Sequence, residues 1–309
     1  DDIAIEKDIT EPISVLVMGI DSTVKDISKV TAFNADSLML VTFNPKTYNA
    51  TVLSIPRDTY TNITCLSNRP KSKITHSGWH GESCVVKTVG SLMDIDIDYY
   101  VKINFTGVVN LVDAIDGVEI DVPYSFCEQN SNRDWGKDTV YVKKGLQVLN
   151  GEQALALSRN RHPNPECGSE WANYNSNDFI RGQNQQLVMN AMLNKIIKSA
   201  DLNKVRSLLN IVDKNVDTNI NTNKMLSYYS IIKELAVKSD DNVISFERLY
   251  LSTYGKTIYD VLMKMPLSDQ VYYDESLKEI IKEMKINLGL ESPTIIKTFS
   301  FSINNEYTS

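Results

Sequence analysis

Apolar positions along the chain fall into two periods, and the alternation between them gives the element order. Ile13 to Met18 is an apolar run closing on Gly19-Ile20-Asp21, which predicts a buried strand running into a loop. Ser37 to Phe43 and Ala50 to Ile55 are two more such runs. Asn44-Pro45-Lys46-Thr47 between them is a turn signal, so the pair predicts a hairpin. Glu82 to Met93 has helical spacing, Tyr99 to Ile103 reads as a strand and Phe105 to Ile115 as a helix. Asp116-Gly117 breaks that helix ahead of a strand at Val118 to Val122. Gly151 to Leu157 predicts a short helix feeding Ser158-Arg159-Asn160-Arg161. A long helix is expected from about Asn177 to Ser199, with Asn175 or Ser176 as its cap. A helix over Asn223 to Lys238, a strand over Val243 to Leu251 and a helix over Glu275 to Ile286 complete the pattern. The tail after Gly289 is polar and expected to be loose. Strands and helices interleave with no internal repeat, linker or shift in composition, which predicts one α/β or α+β domain.

Composition narrows the function classes. The 309 residues are 42% hydrophobic and 23% charged, ordinary for a globular chain. The formal net charge of −7 argues against a broad nucleic-acid surface, which needs a basic face. No apolar run reaches the roughly 18 residues of a membrane helix. The chain starts at Asp1, and it reads as trimmed of a signal peptide or anchor. Cys65, Cys84, Cys127 and Cys167 are even in number and lack a Cys-x-x-Cys pair, which favours two disulfides and an oxidising compartment over a zinc site. Cys65–Cys84 and Cys127–Cys167 are the pairs expected, although four cysteines can pair in three ways and the sequence does not choose.

Several catalytic motifs are absent: there is no Gly-x-Gly-x-x-Gly, Walker loop or Gly-x-Ser-x-Gly elbow. His76 and His80 flank Gly78 in a loop, and His162 stands alone beside Pro163, so histidine chemistry has little support. Arginine stands out instead. Arg57 follows a strand directly. Arg159 and Arg161 are two apart, on one side of an extended segment. Asp178, Arg181 and Gln185 recur at i, i+3 and i+7 near the positive end of the long helix. Arginines at element ends suit a phosphate or pyrophosphate, whose oxygens match the planar guanidinium at about 1.5–3 kcal/mol per contact. Taken singly, each reads more readily as a surface arginine paired with an acid; together, all at element boundaries, they are harder to dismiss. Asp21 and Asp36 sit at strand ends, where they could hold a hard cation such as magnesium or simply form turns and caps.

The chain resembles the LytR-CpsA-Psr family. The stretches that carry the resemblance are VLVMGID (15–21), ADSLMLVTFNP (35–45), SIPRDTY (54–60), DYYVKINF (98–105), VDAIDGVEIDVP (112–123), GLQVLNGEQALALSRNR (145–161) and DFIRGQNQQ (178–186), in the family's order. The resemblance implies a single α/β/α-type domain with a central mixed sheet flanked by helices and a hydrophobic polyprenyl pocket. It would span 13–288, after a 1–12 extension and before a 289–309 tail. It implies an outward-facing enzyme, held to the membrane by an N-terminal helix missing here, at the extracellular face or cell wall. Such an enzyme would be a phosphotransferase moving a glycopolymer from a polyprenyl-pyrophosphate carrier to a peptidoglycan sugar hydroxyl. The alternatives are a pyrophosphatase with water as acceptor and a non-catalytic module that holds the lipid carrier. By resemblance Arg57, Arg159, Arg161 and Arg181 bind pyrophosphate, Asp178 and Gln185 are a helix-borne polar pair, Lys73 is a further substrate contact, and Asp21 and Asp36 hold magnesium. Asn34 and Asn184 stand where the family commonly has arginines, and both are expected at the rim of the site.

Overall fold

In the computed structural model, which describes residues 10–22, 24, 26–172, 177–198, 202–238 and 245–293, the chain enters on strand β1 (Ile13–Ile20). Strands β2 (Ala35–Asn44) and β3 (Asn49–Ile55) form the expected hairpin, and β1 pairs antiparallel with β2. A short ribbon of β4 (Tyr60–Asn62) and β5 (Lys71–Lys73) leads through a 3-10 helix to α1 (Glu82–Met93). Then come β6 (Tyr99–Asn104), α2 (Phe105–Ala114) and β7 (Val118–Val122). The α2–β7 junction needs Gly117, whose φ of 77° is a left-handed conformation that side chains resist.

A second ribbon, β8 (Phe126–Glu128) with β9 (Val140–Val142), precedes β10 (Gly145–Leu149), which pairs with β7. Helix α3 (Gly151–Arg159) opens on a capping box: Asn150 Oδ1 accepts from the Gln153 N–H and Gln153 Oε1 accepts from the Asn150 N–H. Helix α4 (Asp178–Lys198) is capped by Asn177, whose Oδ1 accepts from the Ile180 N–H at 3.0 Å. Asn175 and Ser176, the expected caps, lie outside the described residues. Helix α5 (Leu202–Asn215), β11 (Val216–Thr218), α6 (Thr222–Lys238) and β12 (Ser245–Tyr250) follow. A hairpin of β13 (Thr253–Asp260) and β14 (Met265–Tyr272), then α7 (Asp274–Asn287), end the ordered elements.

Six strands make the central sheet in the order β11-β6-β1-β2-β3-β12. The β1–β6 and β3–β12 pairs are parallel and the rest antiparallel, so the sheet is mixed, as expected. Burial alternates along β1, and Leu16, Met18 and Ile20 point to one face. There they join Leu40, Leu53, Val85 and Val89 of α1, and Ile280 and Met284 of α7, in a dry core. Burying each such side chain stabilises by about 1.5–3 kcal/mol. A second core of Val112, Ile120, Leu149, Leu157 and Val188 fastens α2, α3 and α4 to β7 and β10. Gly151 permits the α2–α3 contact, since a Cβ there would meet the Val109 carbonyl oxygen at 2.4 Å. Buried Lys102 on β6 is fully answered: its Nζ donates to the Val30 carbonyl oxygen at 2.9 Å and pairs with Asp217 at 2.6 Å.

Both expected disulfides form, Cys65–Cys84 and Cys127–Cys167. They close loops of 19 and 40 residues. On the chain-entropy account each stabilises by roughly 3–4 kcal/mol. Replacing Cys65 and Cys84 together by Ser is expected to lower the unfolding free energy by about 3 kcal/mol in urea titration. An unchanged midpoint would mean that this bridge contributes nothing.

Candidate functional site

The face of the sheet turned away from α1 and α7 is not filled. Val17 and Gly19 of β1, Met39 of β2 and Val101 and Ile103 of β6 line a cavity of about 740 Å³. Leu111 of α2, Leu155 of α3 and Val188 and Met192 of α4 close it from the other side. These apolar residues come from the middles of strands and helices. The charged lining comes from their ends: Asp21 just past β1, Asp36 at the start of β2, Arg57 just past β3, and Arg159 at the end of α3. Because β1 and β2 are antiparallel, with Ile20 opposite Ala35, the two aspartates stand at the same end of neighbouring strands. The mouth is thus charged and the interior apolar, the usual division of labour in a ligand site.

Each arginine at the mouth is held by the protein. Arg57 Nη1 donates to Asp36, and its Nε lies 4.0 Å from Asp58. That Nε–H is buried without an acceptor. Burial works most strongly against the charge on Arg57, but the Asp36, Asp58 and Asp178 carboxylates together outweigh it and raise the guanidinium pKa. Arg159 donates to the Asn130 carbonyl oxygen at 3.1 Å and stacks 4.4 Å from the Phe105 ring centroid. Asp178 brackets two arginines, Arg161 at 3.0 Å and Arg181 at 2.9 Å. Burial pulls the pKa of Arg159 and of Arg181 down, partly countered by Glu128 and Asp178 respectively. Gln185 accepts from Ser37 Oγ at 2.8 Å and donates to the Ser158 carbonyl oxygen, locking α4 to β2 and α3.

The structure brings Arg57, Arg159, Arg161, Arg181, Gln185, Asp21 and Asp36 to one cavity. Asp178 stands behind its arginines. Lys73 does not reach the cavity lining; its ammonium pairs with Asp58 at 2.9 Å, next to Arg57. Asn34 and Asn184 do not stand at the rim. Asn34 accepts from Trp79 Nε1 at 2.9 Å, outside the cavity. Asn184 is buried against Tyr124, to which it donates at 2.5 Å. The reason is helical geometry: three residues beyond Arg181 the chain has turned short of a full turn, and Gln185, at four, keeps the mouth.

Ser37 and Glu128 also line the mouth, and Arg133 stands beside it. Arg133 pairs with Asp21 from a turn-rich loop. Ser37 is the polar residue that opens the apolar run of β2, and that position is its one mark in the sequence. Glu128 lies beside Arg159 on β8, and burial pushes its carboxyl pKa up, with the Gln129 N–H partly opposing.

The model of the LytR-CpsA-Psr family matches residues 2–262. The chain belongs to that family. A Bacillus licheniformis protein, polyisoprenyl-teichoic acid–peptidoglycan teichoic acid transferase TagU, is 32% identical over 292 residues, covering 93% of this chain and 82% of that protein. Among solved LytR-CpsA-Psr structures, B. subtilis TagV aligns at TM-score 0.70 and 27% identity, over 91% of this chain and 98% of that one. TagT bound to LIIa-WTA aligns at 0.66 and 26%, over 92% and 96%.

Two outcomes follow from this geometry. Raised Glu128 means that the folded chain holds more protons than the unfolded one from the ordinary value of 4.5 up to the raised value. This contribution to stability is therefore lost as pH rises through that window. Glu128→Gln is expected to gain melting temperature over the wild type as pH goes from about 4 to about 7; a constant offset would contradict the assignment. Asn184→Arg places a cation in a buried position and removes the hydrogen bond to Tyr124, so it is expected to destabilise by at least about 2 kcal/mol. A variant as stable as wild type in urea titration would refute that.

Proposed function

We propose that the chain is a phosphotransferase that moves a glycopolymer, of the teichoic-acid kind, from a polyprenyl-pyrophosphate carrier to peptidoglycan. The observation that carries this reading is the join of an apolar 740 Å³ cavity to a mouth ringed by Arg57, Arg159, Arg161 and Arg181. The relatives named as teichoic acid–peptidoglycan transferases support it. The carrier's chain would lie against Val17, Met39, Val101 and Met192, and its pyrophosphate against the arginines.

The mouth is not simply basic. Its arginines are matched by Asp21, Asp36 and Glu128, so a pyrophosphate alone would meet carboxylates as well as guanidiniums. A divalent cation relieves that conflict. Among the described residues no cluster of three metal-binding side chains exists, but magnesium commonly takes one or two carboxylates plus substrate phosphate oxygens and water. Asp21 and Asp36 fit that donor set and would hold the ion. When bound, magnesium neutralises phosphate charge and aligns the pyrophosphate.

The protein's own part is positioning and charge stabilisation. Arg159, fixed by the Asn130 carbonyl and Phe105, and Arg161 and Arg181, fixed by Asp178, need no reorganisation to meet charge building on the phosphoryl oxygens. A hydroxyl of a peptidoglycan amino sugar, which we take as the C6 hydroxyl, attacks the phosphorus that bears the polymer. The bond to polyprenyl phosphate breaks as the new one forms. The apolar cavity keeps water from the lipid side. The chain acts on the outer side of the membrane in this reading. No helix among the described residues is long and apolar enough to cross a membrane.

Arg57→Ala, Arg159→Ala and Arg161→Ala are each expected to slow transfer about 10²–10³-fold, with unchanged melting. Transfer is followed by mass spectrometry with a synthetic lipid-pyrophosphate donor and a peptidoglycan oligomer. Normal rates in all three would sink the pyrophosphate assignment, and product formation independent of the oligomer would make the chain a hydrolase. Asp36→Ala is expected to remove the response to added magnesium; a wild-type response would exclude Asp36 as a ligand.

A further inference from the structure

A smaller cleft opens beside the main cavity. The two share Asp36, Ser37, Arg57, Arg181 and Gln185. Beyond these the linings diverge. The main cavity runs under β6, β1 and β2, whereas the cleft takes Ser54 from β3, Pro56 just past it, and Tyr250 at the end of β12. With the strands ordered β6-β1-β2-β3-β12, the cavity and the cleft lie to either side of the Asp36–Arg57 pair.

One wall of the cleft is aromatic. Phe179, in the first turn of α4 beside Asp178, is 53% exposed, and its ring centroid lies 5.2 Å from that of Tyr250. A phenylalanine half in water, next to half-buried arginines, is poorly placed to stabilise the core. It is well placed to carry the C–H face of a sugar ring. Hydroxyl and amide groups of such a sugar would find the polar edge formed by Ser54, Asp36 and Arg57.

We infer that this cleft binds the acceptor glycan, a β-linked chain of N-acetylated amino sugars, with one ring against Phe179 and Tyr250. The inference rests on reading the arginine mouth as the donor pyrophosphate site. Phosphoryl transfer places the entering and leaving oxygens roughly in line on opposite sides of phosphorus. The leaving polyprenyl phosphate withdraws towards the apolar cavity, so the attacking hydroxyl must come from the other side of Arg57 and Arg181. The cleft is the opening on that side. In the step, the sugar hydroxyl oxygen bonds to the polymer-bearing phosphorus and the bridging bond to polyprenyl phosphate breaks. The bonding pair stays with the departing phosphate, and the hydroxyl proton is released to solvent.

The test titrates a peptide-free tetrasaccharide of alternating N-acetylglucosamine and N-acetylmuramic acid into the whole chain without donor, followed by calorimetry. Wild type is expected to bind, and Phe179→Ala and Tyr250→Ala to bind roughly two- to ten-fold more weakly, with Phe179→Trp close to wild type. In the transfer assay the two alanine variants are expected to raise the acceptor KM and leave the donor KM unchanged. No glycan binding by wild type, or equal affinity in wild type and both alanine variants, overturns the inference. A rise in donor KM instead overturns it too, and assigns the cleft to the first sugars of the donor polymer. Loss of all lipid-pyrophosphate turnover would refute the donor reading alone, because the glycan titration needs no donor. Thermal melts guard against misfolding, and Phe179, half exposed, is the safer of the two sites.

Discussion

Side chains on a strand alternate between two faces, and in β1 that alternation separates the work of the molecule. Leu16, Met18 and Ile20 go to a sealed core under α1 and α7, while Val17 and Gly19 go to the open face. Neither side could be changed by sliding the strand one residue, since a slip would exchange the two sets. The sealed face supplies the stability that lets the other stay hollow. A protein interior is normally packed to crystal-like density, so a void of this size needs support from elsewhere. Here α2, α3 and α4 provide it by packing on β7 and β10 in a second core, while Gln185 and Gln186 tie α4 to β2 and β3 at the side of the hollow.

The same arrangement explains why charge collects where it does. Strand ends are where the backbone leaves the apolar layer, and β1, β2 and β3 all reach that boundary at one edge. Arginines there are partly desolvated, which by itself opposes their charge. Protein groups offset part of that penalty: Asp36 accepts from Arg57, backbone oxygens accept from Arg159, and the Asp178 carboxylate pairs by charge with Arg161 and Arg181. Guanidiniums anchored in this way lose little further freedom when an anion arrives. Asp178 is the economical element, because a single carboxylate orients two cations.

Much of this was legible in the sequence, for identifiable reasons. Buried elements announce themselves through period, so β1, β2, β3, α1, β6, α2 and α7 fall close to their expected positions. The arginines could be named because each stands at a boundary between elements. What failed was whatever depends on distance rather than order. The β13–β14 hairpin is largely exposed and carries no clean alternation. Helix α5 was missed although Leu202, Val205, Leu208 and Val212 keep helical spacing. Lys73 was expected at the substrate because of its neighbours in the chain, yet Asp58 holds it. Asn184 was placed by counting residues along a helix; the hundred degrees per residue turned it toward Tyr124 instead.

The Cys127–Cys167 bridge is the covalent link between two stretches that also meet through the Tyr141 and Trp171 rings, 5.1 Å apart. Glu128 follows the first cysteine directly, and the second closes the loop that begins at His162, so both flanks of the mouth hang from one covalent bond. The first flank is also seated by Phe126 and Val142 in the second core. Among the described residues the loop that starts at His162 has no such seat, so the bridge is its firmest tether to the sheet side of the mouth. An oxidising surrounding thus serves the alignment of the mouth as well as the stability of the fold.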